Sequence, residues 1–262
     1  MFWGKTAVPL SPEKFYQARI VSREDLSENL WKIRVDPGGD FRFVAGQYAT
    51  LGLGTNGDFL ERPYSLASSP YEPEAEFFIE LVDDGGLSPL LYKLRPGDAV
   101  SFRKRAKGRF TLDLASGRRN HLLVCTVTGI APYVSYARTL YKDWKSGAMP
   151  ADLRLFVIHG ASRSWEFGYC AELEATAAQA PWLTYVPTVS RPWEDTAWKG
   201  ETGRADDVLR KYVDLWELTG QNATAYLCGH PKMLENAAQI LARQGWDRRT
   251  IQTEAYFPAP QS

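Results

Sequence analysis

Residues 126–133, TVTGIAPY, could bind an anion, because a glycine-containing turn here follows an apolar segment and precedes a helical pattern. The small Gly129 would let the backbone approach an anionic group closely. Free amides at the start of the following helix, aided by the helix dipole, would then bind a pyrophosphate. An ordinary strand-to-helix turn gives the same pattern, so this short motif alone leaves both interpretations open.

Basic residues follow later turns of the same half of the chain. Residues 188–191, TVSR, place Ser190 and Arg191 at the end of a strand-type segment, and Arg204 stands at the start of the next helical pattern. Two guanidinium groups and a hydroxyl suit a phosphate monoester, because arginine binds such oxygens in a bidentate fork. An acidic residue at this strand end would suit a free ribose hydroxyl instead. The basic residues therefore favour NADP over NAD, unless they are simply solvated.

The first half of the chain contains a second candidate site. In the strand-type stretch RPYSLAS, residues 62–68, Arg62 could neutralise a phosphate, Tyr64 could lie flat against an aromatic ring, and Ser65 could hydrogen-bond the edge of that ring. Residues 85–88, GGLS, add two glycines and a helix start as another anion site. Each stretch alone could be structural, but together they predict a pocket for a flat cofactor that carries phosphate.

Further side chains near the end of the chain could take part in a reaction. Glu254 lies two residues before Tyr256, and Phe257 follows directly. Termini are commonly frayed, but two adjacent aromatic rings indicate that this segment covers something. Cys228 is either a core thiol, which is the commoner fate of such a residue, or a wall of the reaction site.

Two kinds of hydrophobic period position these residues. Up to about Phe110, strand-type segments are separated by clusters of Gly, Pro, Asn and Asp, which predicts an antiparallel barrel or sandwich. One short helix interrupts them, with Ser88 as its predicted N-cap. After residues 117–120, strands and helices alternate, which predicts a doubly wound parallel sheet whose ligands gather at the carboxyl ends of the strands. We therefore predict two domains, residues 1–116 and 117–262.

The composition limits the classes of function. The chain of 262 residues has 31 Lys and Arg against 31 Asp and Glu, so no net charge points to nucleic acid or to a membrane surface. Three cysteines are too few for a disulfide framework or for a four-cysteine metal or iron–sulfur site. Apolar residues never continue long enough to span a bilayer. We therefore expect a cytoplasmic protein without a metal site.

Taken in order, these motifs resemble those of the ferredoxin–NADP reductase family, and most of all its bacterial members. The resemblance runs from about residue 15 to residue 257 and rests on RPYS, GGLS, VTGIAPY, VSR, TGR, LCGHP and EAY. Single motifs occur in many flavin reductases, whereas the full ordered set is specific. The resemblance implies a flavin domain on a six-stranded antiparallel β-barrel. It also implies an NADP-binding α/β domain with a five-stranded parallel sheet, whose C-terminal tail returns to the flavin.

The resemblance also implies the residues of both cofactor sites. Arg62 would meet the FAD pyrophosphate, Tyr64 would pack along the isoalloxazine, and Ser65 would lie near its N5 atom. The full FAD set is Arg62, Pro63, Tyr64, Ser65, Gly85, Gly86, Leu87, Ser88 and Phe257, the last over the adenine. The NADP(H) set is Thr128, Gly129, Pro132, Ser190, Arg191 and Arg204. Tyr256 would stack over the flavin where the nicotinamide must arrive, and the implied catalytic set is Ser65, Cys228, Glu254 and Tyr256.

The chain departs from the family pattern in three places. Val127 stands where the family usually has a glycine, and because a positive φ is costly for a β-branched residue we expect this turn to avoid one. Arg163 lies one place beyond the position of an arginine often found after the second strand, which is Ser162 here. The tail also continues past Phe257 as PAPQS.

The resemblance implies an FAD-dependent oxidoreductase that exchanges a hydride with NADP(H) and single electrons with ferredoxin or flavodoxin. Such carriers are acidic, so the basic run at residues 103–109, RKRAKGR, is a candidate docking surface, with a solvated loop as the alternative. The rival enzymes are an NAD(P)H–flavin reductase and the reductase component of a monooxygenase. A non-enzymatic flavin or nucleotide sensor is a further interpretation. We expect a monomer that binds neither nucleic acid nor membrane.

Overall fold

The computed structural model describes residues 13–55 and 58–256 of the chain. Within this part, no helix is long and apolar enough to cross a bilayer. The chain divides into two compact units, with the boundary between Thr111 and Leu112. The domain limits expected from the sequence, at residues 116 and 117, stay a prediction.

The first unit is built on one antiparallel sheet of six strands, which confirms the predicted class of this half. Its elements are β1 (Phe15–Asp25), β2 (Leu30–Asp36), β3 (Tyr48–Thr55), β4 (Asp58–Ser65), β5 (Ala75–Glu80), α1 (Ser88–Leu91) and β6 (Ala99–Arg103). The strands lie in the order β4-β3-β6-β1-β2-β5, and the pairings between them are antiparallel. A bridge between Tyr48 and Lys107 adds the segment after β6 to the sheet.

Large apolar side chains from several strands form the core of this unit. Trp31, Ile33 and Val35 of β2 are buried, and they belong to one cluster with Phe77 of β5 and Phe102 of β6. Fully burying a side chain of this kind contributes roughly 1.5–3 kcal/mol. Because a slip of one residue would turn alternating side chains to the other face, this core fixes the register of the strands.

The fourth strand, β4, ends earlier than the sequence pattern indicates. The stretch RPYSLAS was predicted as strand, but it pairs with β3 only up to Ser65. Beyond that residue, Leu66 N donates to Gln47 O at 3.1 Å and Ala67 N donates to Glu76 O at 2.8 Å. The chain therefore leaves the β3–β4 ladder and crosses to β5 while its backbone polar groups remain hydrogen-bonded.

The predicted short helix is present, but its first residue differs. It spans four residues, Ser88–Leu91, and Leu87 precedes it as the N-cap without a side-chain hydrogen bond. The Ser88 hydroxyl accepts a hydrogen bond from Val82 N at 3.1 Å and donates to Val82 O at 3.3 Å. The prediction of Ser88 as the N-cap is therefore wrong, because its hydroxyl closes the preceding loop instead.

The second unit is a parallel sheet with helices between its strands, which confirms the predicted α/β class. Its elements are β7 (Asn120–Thr126), α2 (Ala131–Ser146), β8 (Arg154–Ala161), α3 (Cys170–Gln179), β9 (Leu183–Val189), β10 (Glu201–Thr202), α4 (Ala205–Leu215), β11 (Ala223–Gly229), α5 (Pro231–Arg243) and β12 (Ile251–Ala255). The strand order is β10-β9-β8-β7-β11-β12, and the pairings are parallel. This described sheet has six strands rather than the expected five, because the two residues of β10 pair with the end of β9.

The two faces of the parallel sheet differ in chemistry. One face packs against α4 and α5 through aliphatic side chains such as Leu122 and Val124. Alternate residues of the same strands, including Cys125, Tyr226 and Cys228, put buried polar and aromatic groups on the other face. Since the strands are parallel, their carboxyl ends meet at one edge, where sheets of this kind bind ligands.

Candidate functional site

The turn after β7 packs directly on the end of β11, and two glycines permit this contact. A Cβ on Gly129 would lie 2.5 Å from Cys228 O, and a Cβ on Gly229 would overlap Thr126 Oγ1. Thr126 Oγ1 also accepts a hydrogen bond from His230 N at 3.0 Å. A side chain on either glycine would force these strand ends apart, so the turn needs its small residues.

The residues that the sequence assigns to the nucleotide lie in this turn. Thr128 and Gly129 belong to a 3-10 turn over Val127–Ile130, and Pro132 is the second residue of α2. All three residues are buried, and no side chain caps the amino end of the 16-residue helix α2. The 3-10 turn runs directly into α2, with Ala131 N donating to Thr128 O, and the helix dipole favours an anion at the start of this combined segment.

Val127 contradicts the expectation that this turn avoids a positive φ. Its φ is 42°, in the left-handed region that β-branched residues rarely adopt. Val127 O lies 3.0 Å from His159 Nε2, and His159 Nδ1 lies 3.0 Å from Tyr185 Oη. Because a carbonyl only accepts, Nε2 carries the proton and Tyr185 donates to Nδ1. Burial lowers the pKa of His159 to about 3, so the ring that supports the turn is neutral.

The ends of β9 and β10 bring the predicted phosphate residues together. Gly203, which follows β10, donates its backbone N–H to Val189 O at 2.9 Å. Ser190 and Arg191 directly follow Val189, and Arg204 directly follows Gly203, so the two segments leave the sheet side by side. Ser190 is half-buried, and both arginines are exposed.

Acidic residues that sequence reasoning missed lie against this cluster. Glu194 forms an ion pair with Arg163 and a looser one with Arg191, with 3.8 Å between Arg191 Nη1 and Glu194 Oε1. Arg163 also pairs with Glu166 at 3.1 Å. Hydrogen bonds to Glu166 and then to Glu194 raise the pKa of Arg163. The available signal was a glutamate three residues after Arg191, since a 3-10 turn over Pro192–Glu194 folds the chain back.

The predicted reaction residues of the second unit are neighbours on adjacent strands. Cys228 of β11 lies opposite Glu254 of β12, and Tyr256 N donates to Gly229 O at 3.0 Å beyond this pair. Burial raises the pKa of Cys228 well above its usual range, and the charge of Glu254 adds to the effect. Cys228 is therefore a neutral thiol, suited to line a site rather than to act as a thiolate. Phe257 lies outside the described residues.

In the first unit, the two predicted flavin stretches meet. A Cβ on Gly86 would lie 3.8 Å from Arg62 Nη2, so the GGLS loop adjoins the arginine of β4. Arg62 is exposed and donates to Glu61 O at 2.8 Å. It forms no ion pair with a carboxylate of the described residues. Its guanidinium group is an uncompensated positive charge beside an exposed glycine, which fits a phosphate group.

Tyr64, Ser65 and Pro63 belong to the end of β4. The Tyr64 ring is half-buried and lies edge-on to Phe77, with 6.4 Å between the ring centroids. Burial raises the pKa of Tyr64, so the phenol is neutral and its ring can offer an apolar surface to a flat ligand. Ser65 is buried, whereas Pro63 is exposed and lies opposite Thr50 in the ladder.

The other GGLS residues shape the loop from within. A Cβ on Gly85 would lie 2.8 Å from Val82 O, so a larger residue would push the loop open. Leu87 is buried in the core cluster of this unit, and the Ser88 hydroxyl is hydrogen-bonded to Val82. Gly86 alone among these four residues is exposed. The role of these residues in holding FAD stays a prediction.

The basic run divides into paired and unpaired cations. Arg103 forms a bidentate ion pair with Glu61, with N–O distances of 2.6 and 2.8 Å. Arg105, Lys107 and Arg109 are exposed at every second position of the following segment. None of these three side chains forms an ion pair with a carboxylate that the structure describes. The candidate docking surface therefore consists of Arg105, Lys107 and Arg109 rather than Arg103.

The donor sets suit phosphate-bearing cofactors better than a metal ion. In the described ranges, no group of three or more His, Cys, Asp or Glu side chains is placed to hold a metal. The first unit instead sets Arg62 beside Gly86. The second unit combines the uncapped start of α2 with two arginines at neighbouring strand ends. Amides, guanidinium groups and glycine turns are the groups that proteins use to bind phosphate.

Comparison with known protein families matches both units in order. The oxidoreductase FAD-binding domain family matches residues 17–111. The oxidoreductase NAD-binding domain family matches residues 123–239. The first match falls on the unit that carries the Arg62 site. The second falls on the unit that carries the charged residues near the ends of β8, β9 and β10, Arg163, Arg191, Glu194 and Arg204, which we call the strand-end cluster.

Several whole proteins similar to this chain are named as reductases. The chain is 30% identical to the flavodoxin/ferredoxin–NADP reductase of Escherichia coli (strain K12), over 74% of this chain and 77% of that protein. It is 28% identical to the reductase component of phenol 2-monooxygenase from Pseudomonas sp. (strain CF600), over 95% of this chain and 67% of that protein. Among solved structures, a ferredoxin NADP+ reductase from Neisseria gonorrhoeae with bound FAD and NADP has a TM-score of 0.78 at 25% identity. That match covers 93% of this chain and 99% of the other.

Proposed function

The chain belongs to the ferredoxin–NADP reductase family of oxidoreductases, and from that premise we propose that it uses FAD to move electrons between NADP(H) and ferredoxin or flavodoxin. The FAD-binding domain family matches its first unit and the NAD-binding domain family matches its second. The observation that carries the proposal is the side-by-side exit of Arg191 and Arg204 from β9 and β10. Two guanidinium groups at one strand edge suit the 2′-phosphate that distinguishes NADP from NAD.

The residues of the first unit bind and orient the flavin in this proposal. When bound, FAD supplies the redox chemistry, because it accepts a hydride from a nicotinamide and releases electrons one at a time. Arg62, beside Gly86, neutralises the pyrophosphate. Tyr64 presents the face of its neutral ring to the isoalloxazine, and Ser65 presents a hydroxyl to its edge.

The residues of the second unit bind the nucleotide and shape its reactive end. Thr128, Gly129 and Pro132, at the uncapped start of α2, receive the pyrophosphate. Cys228, Glu254 and Tyr256 line the nicotinamide end of the site. A neutral Cys228 suits this place, because a thiol held far from its ionisation range packs against a nicotinamide without attacking it.

The electron carrier docks by charge in this proposal. Arg105, Lys107 and Arg109 form an exposed basic surface on the first unit, and acidic carrier proteins are attracted to such a surface before they bind. A monomeric state and a cytoplasmic location stay predictions.

The reductase component of an oxygenase is the second candidate function. It is favoured by the similarity to the phenol 2-monooxygenase reductase component, which extends over nearly the whole of this chain. In that case the acceptor of electrons is an oxygenase or its own carrier rather than a free ferredoxin or flavodoxin.

Anaerobic stopped-flow mixing tests the proposal. The purified, flavin-loaded protein is mixed with NADPH or NADH while the flavin absorbance is followed, and ferredoxin or flavodoxin is then added. We expect faster reduction by NADPH, followed by reoxidation when the carrier is added. Reduction without transfer to either carrier would favour the oxygenase role, and failure of both nucleotides to reduce the flavin would refute the proposed activity.

A further inference from the structure

The strand-end cluster of the second unit is not basic overall. It contains the guanidinium groups of Arg163 and Arg191, and Arg204 leaves the neighbouring strand. Three carboxylates share the edge beside Arg163 and Arg191, those of Glu166, Glu194 and Asp195. A fourth, Asp207, accepts a hydrogen bond from Arg204 N at 3.1 Å. A phosphate that approaches three cations and four anions meets no net positive charge, so its binding depends on which of the carboxylates beside Arg163 and Arg191 can turn away.

Two of the three carboxylates are held by the backbone. Glu166 Oε2 accepts a hydrogen bond from Ser162 N at 2.8 Å, and Asp195 Oδ2 accepts one from Ser164 N at 2.7 Å. These bonds fix the loop after β8, and the Ser164 contacts lower the pKa of Asp195. Because buried or fixed amides would lose their acceptors, neither carboxylate can leave without opening the loop.

Glu194 is held differently, since its carboxylate contacts arginine side chains rather than backbone amides of the described residues. It bridges Arg163 and Arg191, and its own side chain is 36% exposed. The longer contact, 3.8 Å to Arg191 Nη1, is at the loose end of ion-pair distances. A carboxylate in this position compensates the charge of the guanidinium groups much as a phosphate would. Its side chain can rotate out towards the solvent when a stronger anion arrives.

We propose that Glu194 is a specificity-determining residue, an internal substitute for the 2′-phosphate that a phosphorylated dinucleotide must displace from Arg191 and Arg163. The inference rests on the proposed use of NADP(H) and adds a residue that competes with the 2′-phosphate for the arginines. A nucleotide with a free 2′-hydroxyl leaves the Glu194 bridge in place, whereas one with a 2′-phosphate has to break it. Glu194 therefore narrows the preference for NADPH over NADH that the arginines create.

Binding of two simple probes to the flavin-loaded protein tests this role. The probes are 2′-phospho-AMP and AMP, titrated calorimetrically against the unmodified protein and Glu194→Gln. Removing one half-exposed competing carboxylate should increase the affinity for 2′-phospho-AMP about twofold to fivefold, the upper part of the range of an ion pair of this kind. The affinity for AMP should increase less than twofold, and the increase in affinity for 2′-phospho-AMP should become smaller at high ionic strength.

Glu24→Gln is the matched control, because Glu24 is also an exposed glutamate in an ion pair, with Lys32 at 2.7 Å, but lies on β1. It should leave both affinities unchanged. A second readout is the ratio of kcat/KM for NADPH to that for NADH with ferricyanide as acceptor, which should rise in Glu194→Gln by the same factor.

The outcomes separate this proposal from the proposed function. If Glu194→Gln leaves 2′-phospho-AMP binding unchanged or weakens it, while Arg191→Ala weakens it, the role of Glu194 is refuted and NADP(H) use stands. If the unmodified protein binds neither probe and is not reduced by NADPH, both proposals are refuted. Equal tightening of AMP and 2′-phospho-AMP would also refute the role, because Glu194 would then repel any nucleotide.

Discussion

Arg62 in the first unit and Arg191 in the second are both predicted from sequence motifs to bind phosphate, and both are exposed to solvent. Arg62 forms no ion pair with a described carboxylate, and it adjoins the open Gly86. Arg191 lies 3.8 Å from Glu194, which also holds Arg163. The same residue type is thus presented to a phosphate in one unit and already compensated in the other.

This difference indicates how tightly each unit should hold its ligand. An unpaired guanidinium group loses only water when a phosphate arrives, whereas a paired one must also lose its carboxylate. A flavin that remains bound through many turnovers needs the first arrangement. A nucleotide that must leave after each turnover is better served by the second, because the released carboxylate can return.

The second unit also contains buried histidines, which should make its stability depend on pH. The loss of stability on acidification is the largest effect that we expect. All three histidines of the chain, His121, His159 and His230, lie in this unit. Burial lowers the pKa of His121 to about 4 and that of His159 to about 3. Below about pH 6.5 the unfolded chain binds protons that the folded chain excludes, so stability falls as the pH falls towards these values. We expect a loss of about 2 kcal/mol per buried histidine at pH 5.

Urea unfolding at pH 7 and pH 5 measures this loss, and two variants identify its source. Neither ring nitrogen of His121 has a hydrogen-bond partner in the described part of the chain, so His121→Leu should remove part of the pH dependence without losing a hydrogen bond. His230→Asn is the control, because His230 is exposed and asparagine can still cap α5. Parallel pH profiles for the unmodified protein and His121→Leu would contradict the assignment.

Replacing the two arginines compares the two sites directly. Arg62→Ala should weaken FAD binding on the order of a hundredfold, because a charge-assisted bond to a phosphate contributes roughly 1.5–3 kcal/mol. Arg191→Ala should raise the KM for NADPH only about fivefold to tenfold, because its charge is already partly satisfied by Glu194. Fluorescence titration of the flavin-free protein measures the FAD affinity, and steady-state kinetics measure the KM for NADPH.

Arg105→Ala is the control for both measurements, since Arg105 is exposed and lies outside both motifs. It should change neither flavin affinity nor the KM for NADPH by more than twofold. If Arg191→Ala raises the KM for NADPH by as large a factor as Arg62→Ala weakens FAD binding, the Glu194 carboxylate does not weaken phosphate binding at Arg191. The two arginines would then not differ in the way that their ion pairing indicates.

The contrast between paired and unpaired cations recurs within the first unit, in the run of residues 103–109. Reversing the charges of Arg105, Lys107 and Arg109 should lower kcat/KM for ferredoxin or flavodoxin about tenfold at low salt, because charge steers association. The double variant Arg103→Gln/Glu61→Gln should change it less than twofold, because it removes an ion pair without changing the net charge. Reduction of ferricyanide, a small acceptor, should be unaffected, and equal losses with both acceptors would argue against docking at this surface.

Strong periodic patterns in the sequence predicted the fold, whereas several local conformations could not be predicted from the sequence. The alternation of strands and helices after residue 117 gave the parallel sheet, and the ordered motifs placed Arg191 and Arg204 at its edge. Three features depended on contacts that a linear pattern does not specify. These are the bridge from Glu194 to two arginines, the bond from the Ser88 hydroxyl to Val82, and the support of Val127 by His159 from 32 residues away.

The turn beneath the second site provides the smallest expected effect and the clearest test of strain. Val127 adopts a φ of 42°, which costs a β-branched residue about 1 kcal/mol and costs glycine almost nothing. Val127→Ala keeps the positive φ, and both alanine and glycine lose most of the packing of the half-buried valine against Ala161, Phe167 and Val189. Val127→Gly should therefore be up to about 1 kcal/mol more stable than Val127→Ala, less the backbone entropy that glycine adds to the unfolded chain. Val44 is the control position, because it is exposed and does not have a positive φ, so Val44→Gly should be less stable than Val44→Ala.

Thermal or urea unfolding should give opposite signs for the glycine-minus-alanine difference at the two positions if the turn is strained. The carbonyl that accepts from His159 belongs to the backbone and remains in both Val127 variants, so a higher stability of glycine than of alanine can be attributed to relief of φ rather than to a new contact. If glycine is less stable than alanine by the same amount at both positions, the turn is not strained. The support from His159 would then serve only to position the turn, and the second unit would have no stored strain to distinguish its site from that of the first.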